Sequence, residues 1–212
     1  MAKETTLPDQ IGLFVLDNVI LLPGNILPLQ VFEKRYLNLI DHALANGRYF
    51  GIVQPRSVKK GRQDNDDLYE TATIGKIIRF EEIMPERYLI MTKGIHRFKI
   101  DQHILSEHDY NIAQCDYHAY DDTREQQFTI SDDDLQFLMN KINIYFHHQE
   151  QLYDHQFLSS LSHEGLVNMV AMLCVNGSAE KQALLEAKDI YSRFQSLYML
   201  LQMAQEDIIG HA

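Results

Sequence analysis

Between Leu16 and Tyr36 the chain reads LDNVILLPGNILPLQVFEKRY, and this run limits the possible folds more than any other stretch. Proline fixes φ and removes a backbone donor, whereas glycine opens positive φ, so Pro23-Gly24 must be a sharp turn between two extended apolar segments. The second segment, Ile26-Leu27-Pro28-Leu29, leads into Phe32-Glu33-Lys34-Arg35-Tyr36 at the mouth of an expected helix. A bend this rich in large apolar side chains needs a sheet to cover it. It also holds more of them than one turn can point inward, so one or two are expected on the surface as a contact patch.

The periodicity divides the 212 residues in two. The first part, 1–120, predicts short strands at Ile11–Leu16, Leu27–Val31, Tyr49–Val53, Thr73–Glu81 and Tyr88–Met91, with two more around His96–Leu105 and Tyr110–Tyr117. Met84-Pro85-Glu86-Arg87 turns a hairpin. One helix interrupts them, with Tyr36, Leu37, Leu39, Ile40, Ala43 and Leu44 on one face and Gly47 placed to end it. Residues 55–67 (PRSVKKGRQDNDD) read as a polar loop. The second part, 121–212, predicts helices. Ser131 with Asp134 resembles a capping box ahead of Leu135, Leu138, Met139, Ile142 and Phe146. A second helix runs from Ser162 or His163 to Val175. Ser178 is expected to N-cap a third, and a fourth begins near Asp189. The fold class is therefore α+β, a β-rich unit followed by a small helical bundle.

Charge narrows the partners. Residues 1–120 carry 14 Lys+Arg against 16 Asp+Glu, and 121–212 carry 5 against 14, giving −2 and −9 of the total −11. That surface forgoes the counterion release that drives nucleic-acid binding, and leaves basic or neutral polypeptides as partners. The opening MAKETTLPDQIG has no apolar core of a signal peptide, and no apolar run approaches ~18 residues, so a soluble cytoplasmic protein without membrane association is expected. Cys115 and Cys174 are expected as separate free thiols.

The run Pro23-Gly24 through Pro28-Leu29, Val31-Phe32-Glu33 and Arg35-Tyr36 resembles the P-G-x-x-x-P-L-x-V-F-E-x-R-Y signature of the Lon N-terminal domain family. Thr73-Ile74-Gly75-Lys76-Ile77, Lys93-Gly94-Ile95-His96-Arg97-Phe98-Lys99-Ile100 and Lys181-Gln182-Ala183-Leu184-Leu185-Glu186 are similar to three further family segments, in the family's order. The resemblance implies a PUA-like β pseudo-barrel with one helix, followed by the bundle. It also implies the substrate-engaging front end of an ATP-dependent protease, here in its stand-alone form. No G-x-x-x-x-G-K-[ST] stands in the sequence to cradle phosphates, and no cofactor is expected.

The resulting expectation is a non-enzymatic polypeptide-binding module. Its partners would be unfolded or partner polypeptides, with a separate ATPase or protease as a further partner. The candidate contact residues are Leu22, Pro23, Gly24, Ile26, Leu27, Phe32, Arg35, Tyr36 and Arg97. The competing structural reading makes Glu33 and Arg35 a network that locks the Pro23-Gly24 turn against the barrel. An RNA-binding role, suggested by PUA-like folds alone, is the alternative that the acidic balance opposes. The ten histidines show no metal-ligand spacing: His147 and His148 are adjacent, and His155 and His163 flank a connection. They read as solvated or capping groups. Ser178-Ala179-Glu180-Lys181 matches S-x-x-K without its companion motifs, and reads as accidental.

Overall fold

A computed structural model describes residues 7–56, 67–122, 128–148, 160–175 and 177–210. The basic part of the 55–67 loop, with Lys59, Lys60 and Arg62, lies outside the described residues, as does His155.

Six strands and one helix come first: β1 (Gln10–Val15), β2 (Ile26–Val31), α1 (Lys34–Ala45), β3 (Tyr49–Val53), β4 (Thr71–Met84), β5 (Arg87–Leu105) and β6 (Asn111–Asp116). The sheet order is β2-β5-β4-β3-β1-β6, and β6 pairs again with β5. That second pairing closes β1, β3, β4, β5 and β6 into a ring, the pseudo-barrel that the family resemblance implies. The long β5 does this by serving two partners: Tyr88–Lys93 faces β2, and Lys99–Leu105 faces β6. Two strands were expected where β5 runs unbroken. A register shift opposite Gly94 absorbs the bend instead, with Gly75 paired to Gly94 and Ile74 to His96. An extra residue in one strand turns the ladder without ending it.

Gly94 also explains how the bend is held. The Gly24 amide donates to the Gly94 carbonyl, and the Gly94 amide donates to the Asn25 carbonyl, both at 2.9 Å. A Cβ on Gly94 would overlap the carbonyl oxygen of Leu22. The approach of the Leu21-Leu22 backbone to the sheet therefore needs glycine there. Gly24 itself sits at φ +82, as the turn requires. Four further helices follow among the described residues: α2 (Asp132–His148), α3 (His163–Leu173), α4 (Ser178–Glu186) and α5 (Ile190–Gly210). Ser131 accepts from the Asp134 amide at 3.2 Å, Ser162 from the Gly165 amide at 3.1 Å and Asp189 from the Ser192 amide at 2.8 Å, so three of the helix starts are fixed by caps.

Ser178 departs from its expected capping role. Gly177 holds the cap position, and the Ser178 hydroxyl donates to Asp17 Oδ1 at 2.7 Å while accepting the Asn18 amide at 3.0 Å. The hydroxyl is committed to the β1–β2 loop, so it cannot also turn back on its own helix. One apolar cluster runs from Leu21, Leu22 and Ile40 in the barrel half to Leu138, Val170, Leu184 and Leu197 in the helices. A second, smaller cluster fills the ring around Leu13, Ile74 and Phe98. No described helix is long and apolar enough to cross a membrane.

Candidate functional site

The expected contact residues separate into two sets. Leu22, Tyr36 and Arg97 are at most 3% exposed, so none of them can meet a partner at the surface. Leu22 belongs to the large core, and Tyr36 stacks on Phe14 with its hydroxyl donating to the Val15 carbonyl at 3.2 Å. Ile26 (48%) and Phe32 (59%) are exposed instead, and Pro23, Gly24 and Leu27 are at least partly so. The Glu33–Arg35 ion pair forms at 2.9 Å, with the guanidinium over the Tyr36 ring at 4.5 Å. It is a local pair at the mouth of α1. The Pro23-Gly24 turn is held by main-chain bonds to Gly94, so the expected lock is made elsewhere.

Arg97 makes five side-chain hydrogen bonds in the polar interior. Its Nε and Nη2 donate to Asp122 at 2.7–3.0 Å, and Nη1 donates to the Leu185 and Ala187 carbonyls at 2.8 and 2.6 Å. The guanidinium lies 4.1 Å from the Tyr120 ring centroid. This fork suits a planar cation with donors on two sides, and it ties β5 to the C-terminal end of α4. Burial pushes the Asp122 carboxyl up, but the hydrogen bonds and charge of Arg97 outweigh it and hold the group below the ordinary carboxylate range. The other end of α4 is fastened too. Lys181 donates to the Asn18 carbonyl at 2.8 Å, and Gln182 to the Thr71 carbonyl at 3.2 Å. The two segments Gly94–Ile100 and Lys181–Glu186 are thus the seam between barrel and bundle.

The exposed set lines a groove. Pro23, Gly24, Ile26, Leu27 and Pro28 form one wall, and Leu161, Gly165, Met169 and Met172 form the other. The groove measures about 630 Å3 and its surface is mostly apolar. Among the described residues Glu164 is the one charged side chain on it. Sequence reasoning found the first wall from its turn chemistry and missed the second. An apolar helical stripe looks the same whether it enters a core or lines a groove, and only the Met169 and Met172 pair, with soft side chains that adapt to irregular guests, hinted at the latter.

The strand edge beside this groove is blunted. The Gly94–Asn25 bond fixes the ladder's parity, so Leu27, Leu29 and Val31 bond to β5 while Ile26, Pro28 and Gln30 turn their backbone outward. Pro28 has no N–H to offer there. A guest strand cannot continue a regular ladder, and side-chain contacts must carry any binding.

No group of three or more His, Cys, Asp or Glu is placed to hold a metal ion among the described residues. His163 Nδ1 accepts the Ile130 amide at 3.0 Å, a capping role. Cys115 and Cys174 are free. Burial pushes their thiols up to about 11 and about 12, which keeps them protonated and unreactive near neutrality.

The profile of the ATP-dependent protease La (LON) substrate-binding domain family matches residues 10–203, and the chain belongs to that family. A Lon N-terminal domain protein from Xanthomonas campestris superposes with a TM-score of 0.63 at 17% identity, covering 90% of this chain and 97% of that one. The N-terminal domain of Lon protease from the Mycobacterium avium complex gives 0.57 at 15% identity, over 89% and 95%. Lon protease 2 of Myxococcus xanthus is 24% identical over 210 residues, 97% of this chain and 25% of that protein. The chain thus spans about a quarter of the length of the full-length relatives it matches.

Proposed function

We propose that this chain is a non-enzymatic binding module that takes up segments of other polypeptides in the groove between the Pro23–Pro28 bend and α3. The observation that carries the reading is the apolar groove itself, about 630 Å3 with exposed Ile26 on one wall and Met169 and Met172 on the other. Membership of a family of substrate-binding domains supports it. Apolar burial supplies the affinity, and methionines allow guests of varied sequence. At ~25 cal/mol per Å2, a patch of a few hundred Å2 leaves micromolar-class binding after association entropy is subtracted. Such binding suits a module that hands its guest to a separate ATPase or protease in the cytoplasm.

The test is fluorescence anisotropy of a permanently unfolded, labelled model protein titrated with the wild type and with Ile26→Asp and Met169→Asp. Ile26 is exposed and Met169 lies partly exposed at the margin of the core, so the fold should survive, as circular dichroism will show. A loss of tenfold or more in each variant is the expected result. Equal binding by wild type and both variants, or no binding above that of a size-matched acidic control protein, overturns the reading.

A further inference from the structure

A second, polar cleft of about 40 Å3 adjoins the groove, and Pro23, Glu164 and Asn168 belong to both. Resting on the groove reading above, we infer that the occupant is a polypeptide segment that pairs an apolar side chain with a neighbouring cationic one. The apolar side chain fills the groove and the cation enters this cleft beside Glu164.

Charge complementarity carries the argument. Among the described residues the cleft is lined by two cations, Arg97 and Arg193, and four carboxylates, Asp121, Asp122, Glu164 and Asp189, a balance of −2. Both arginines are already spent inward. Arg97 is bonded to Asp122 and two carbonyls, and Arg193 donates through Nε to the Leu184 carbonyl and through Nη1 to Asn168 Oδ1, each at 3.0 Å. Glu164 is partly buried, stands in the first turn of α3, and makes no hydrogen bond or ion pair among the described residues. A partly buried carboxylate with no donor is under-solvated, and a guest cation restores what water supplied. The cleft is water-sized, so it accepts the tip of one side chain while the apolar neighbour stays in the groove. The site therefore reads a pair of side chains, where the groove alone would accept any greasy segment.

The experiment compares three labelled 10-residue peptides on one Gly/Ser frame, carrying Leu-Leu-Lys, Leu-Leu-norleucine or Leu-Leu-Glu, by anisotropy with the full chain. The Lys peptide should bind about fivefold tighter than norleucine, and Glu more weakly than either. Glu164→Gln should bring Lys and norleucine within twofold of each other. Glu164→Lys should invert the order of Lys and Glu. Asp133→Asn, an exposed carboxylate on α2, controls for overall charge and should leave the order intact. Equal binding of all three peptides overturns this inference and leaves the groove standing. An Asp133→Asn effect as large as that of Glu164→Gln overturns it as well, because long-range charge then suffices. No binding of even the norleucine peptide removes the groove reading and this inference together.

Discussion

Replacing Arg97 by methionine tests the seam between barrel and bundle, because methionine keeps the unbranched stem and deletes only the donors. Three partner groups lose their hydrogen bonds, Asp122 Oδ1 and the carbonyls of Leu185 and Ala187, while Asp122 Oδ2 loses the Nε bond and keeps the one from the Arg97 backbone amide at 2.7 Å. The side chains of Arg97 and Asp122 are 4% and 8% exposed, so water cannot readily replace the lost donors. Removing one partner of such a buried pair costs ~3–5 kcal/mol, against a total stability of ~5–15 kcal/mol for a typical domain. For a chain of this size each kcal/mol moves Tm by ~2–4 °C, so a fall of about 10 °C is expected. The matched control is Arg35→Met, which breaks the Glu33 pair at the surface, where ion pairs contribute ~0–1 kcal/mol.

Thermal unfolding followed by circular dichroism, for both variants on one buffer series, reads the difference. Acid adds a second constraint. The Asp122 carboxyl is depressed in the folded chain, so its contribution is present above the carboxylate's unfolded range near pH ~4 and fades as pH falls through the lower folded value. The gap between wild type and Arg97→Met should therefore be widest near neutrality and close below pH ~4. Adding Asp122→Asn to Arg97→Met should recover part of the loss, since the uncompensated charge is gone. A Tm shift for Arg97→Met no greater than that of Arg35→Met, or a gap that widens in acid, refutes the reasoning.

Gly94→Ala should destabilise by ~1–3 kcal/mol or somewhat more, because its Cβ meets the Leu22 backbone and backbone cannot move aside; a urea midpoint equal to wild type would show that the approach has slack. Gly12→Ala is the comparison: its Cβ meets the ends of the Leu39 and Tyr110 side chains, which can repack, so the urea midpoint should fall less. Cys115 and Cys174 should resist a thiol reagent at pH 8 in the native protein and react at once in denaturant, since burial holds their thiols near 11 and 12; fast native labelling of either contradicts its burial. Ser178→Ala removes two bonds to the Asp17-Asn18 loop and should cost ~1–2 kcal/mol in the same urea titration, more than the loss of a single exposed cap.

What could be read from residues alone follows a physical line. Features set by one or two neighbours were legible: the positive φ of Gly24 and Gly47, the hairpin turn at Pro85-Glu86, the cap at Ser131. Each is a local covalent or hydrogen-bond requirement that the residue type states outright. Pairings across the chain were not legible. Arg97 meets Asp122 and the end of α4, 25 and 88–90 residues away, and nothing in either stretch announces the other. The same limit misplaced the brace on the bend, because Glu33 and Arg35 are near neighbours and invite pairing while Gly94 lies about 70 residues from the turn it holds. It also hid half of the groove. The consequence bears on function: the segments Gly94–Ile100 and Lys181–Glu186, which carry much of the family resemblance, are spent on fastening barrel to bundle, so they specify the frame and are silent on the guest. On the groove reading proposed above, the guest is read instead from Ile26, Leu27, Met169, Met172 and Glu164, which line the groove. Of these, only Ile26 and Leu27 stood in a run whose turn chemistry drew attention to them. Substitutions at the other three can therefore retune what is bound without disturbing the residues that make the fold recognisable.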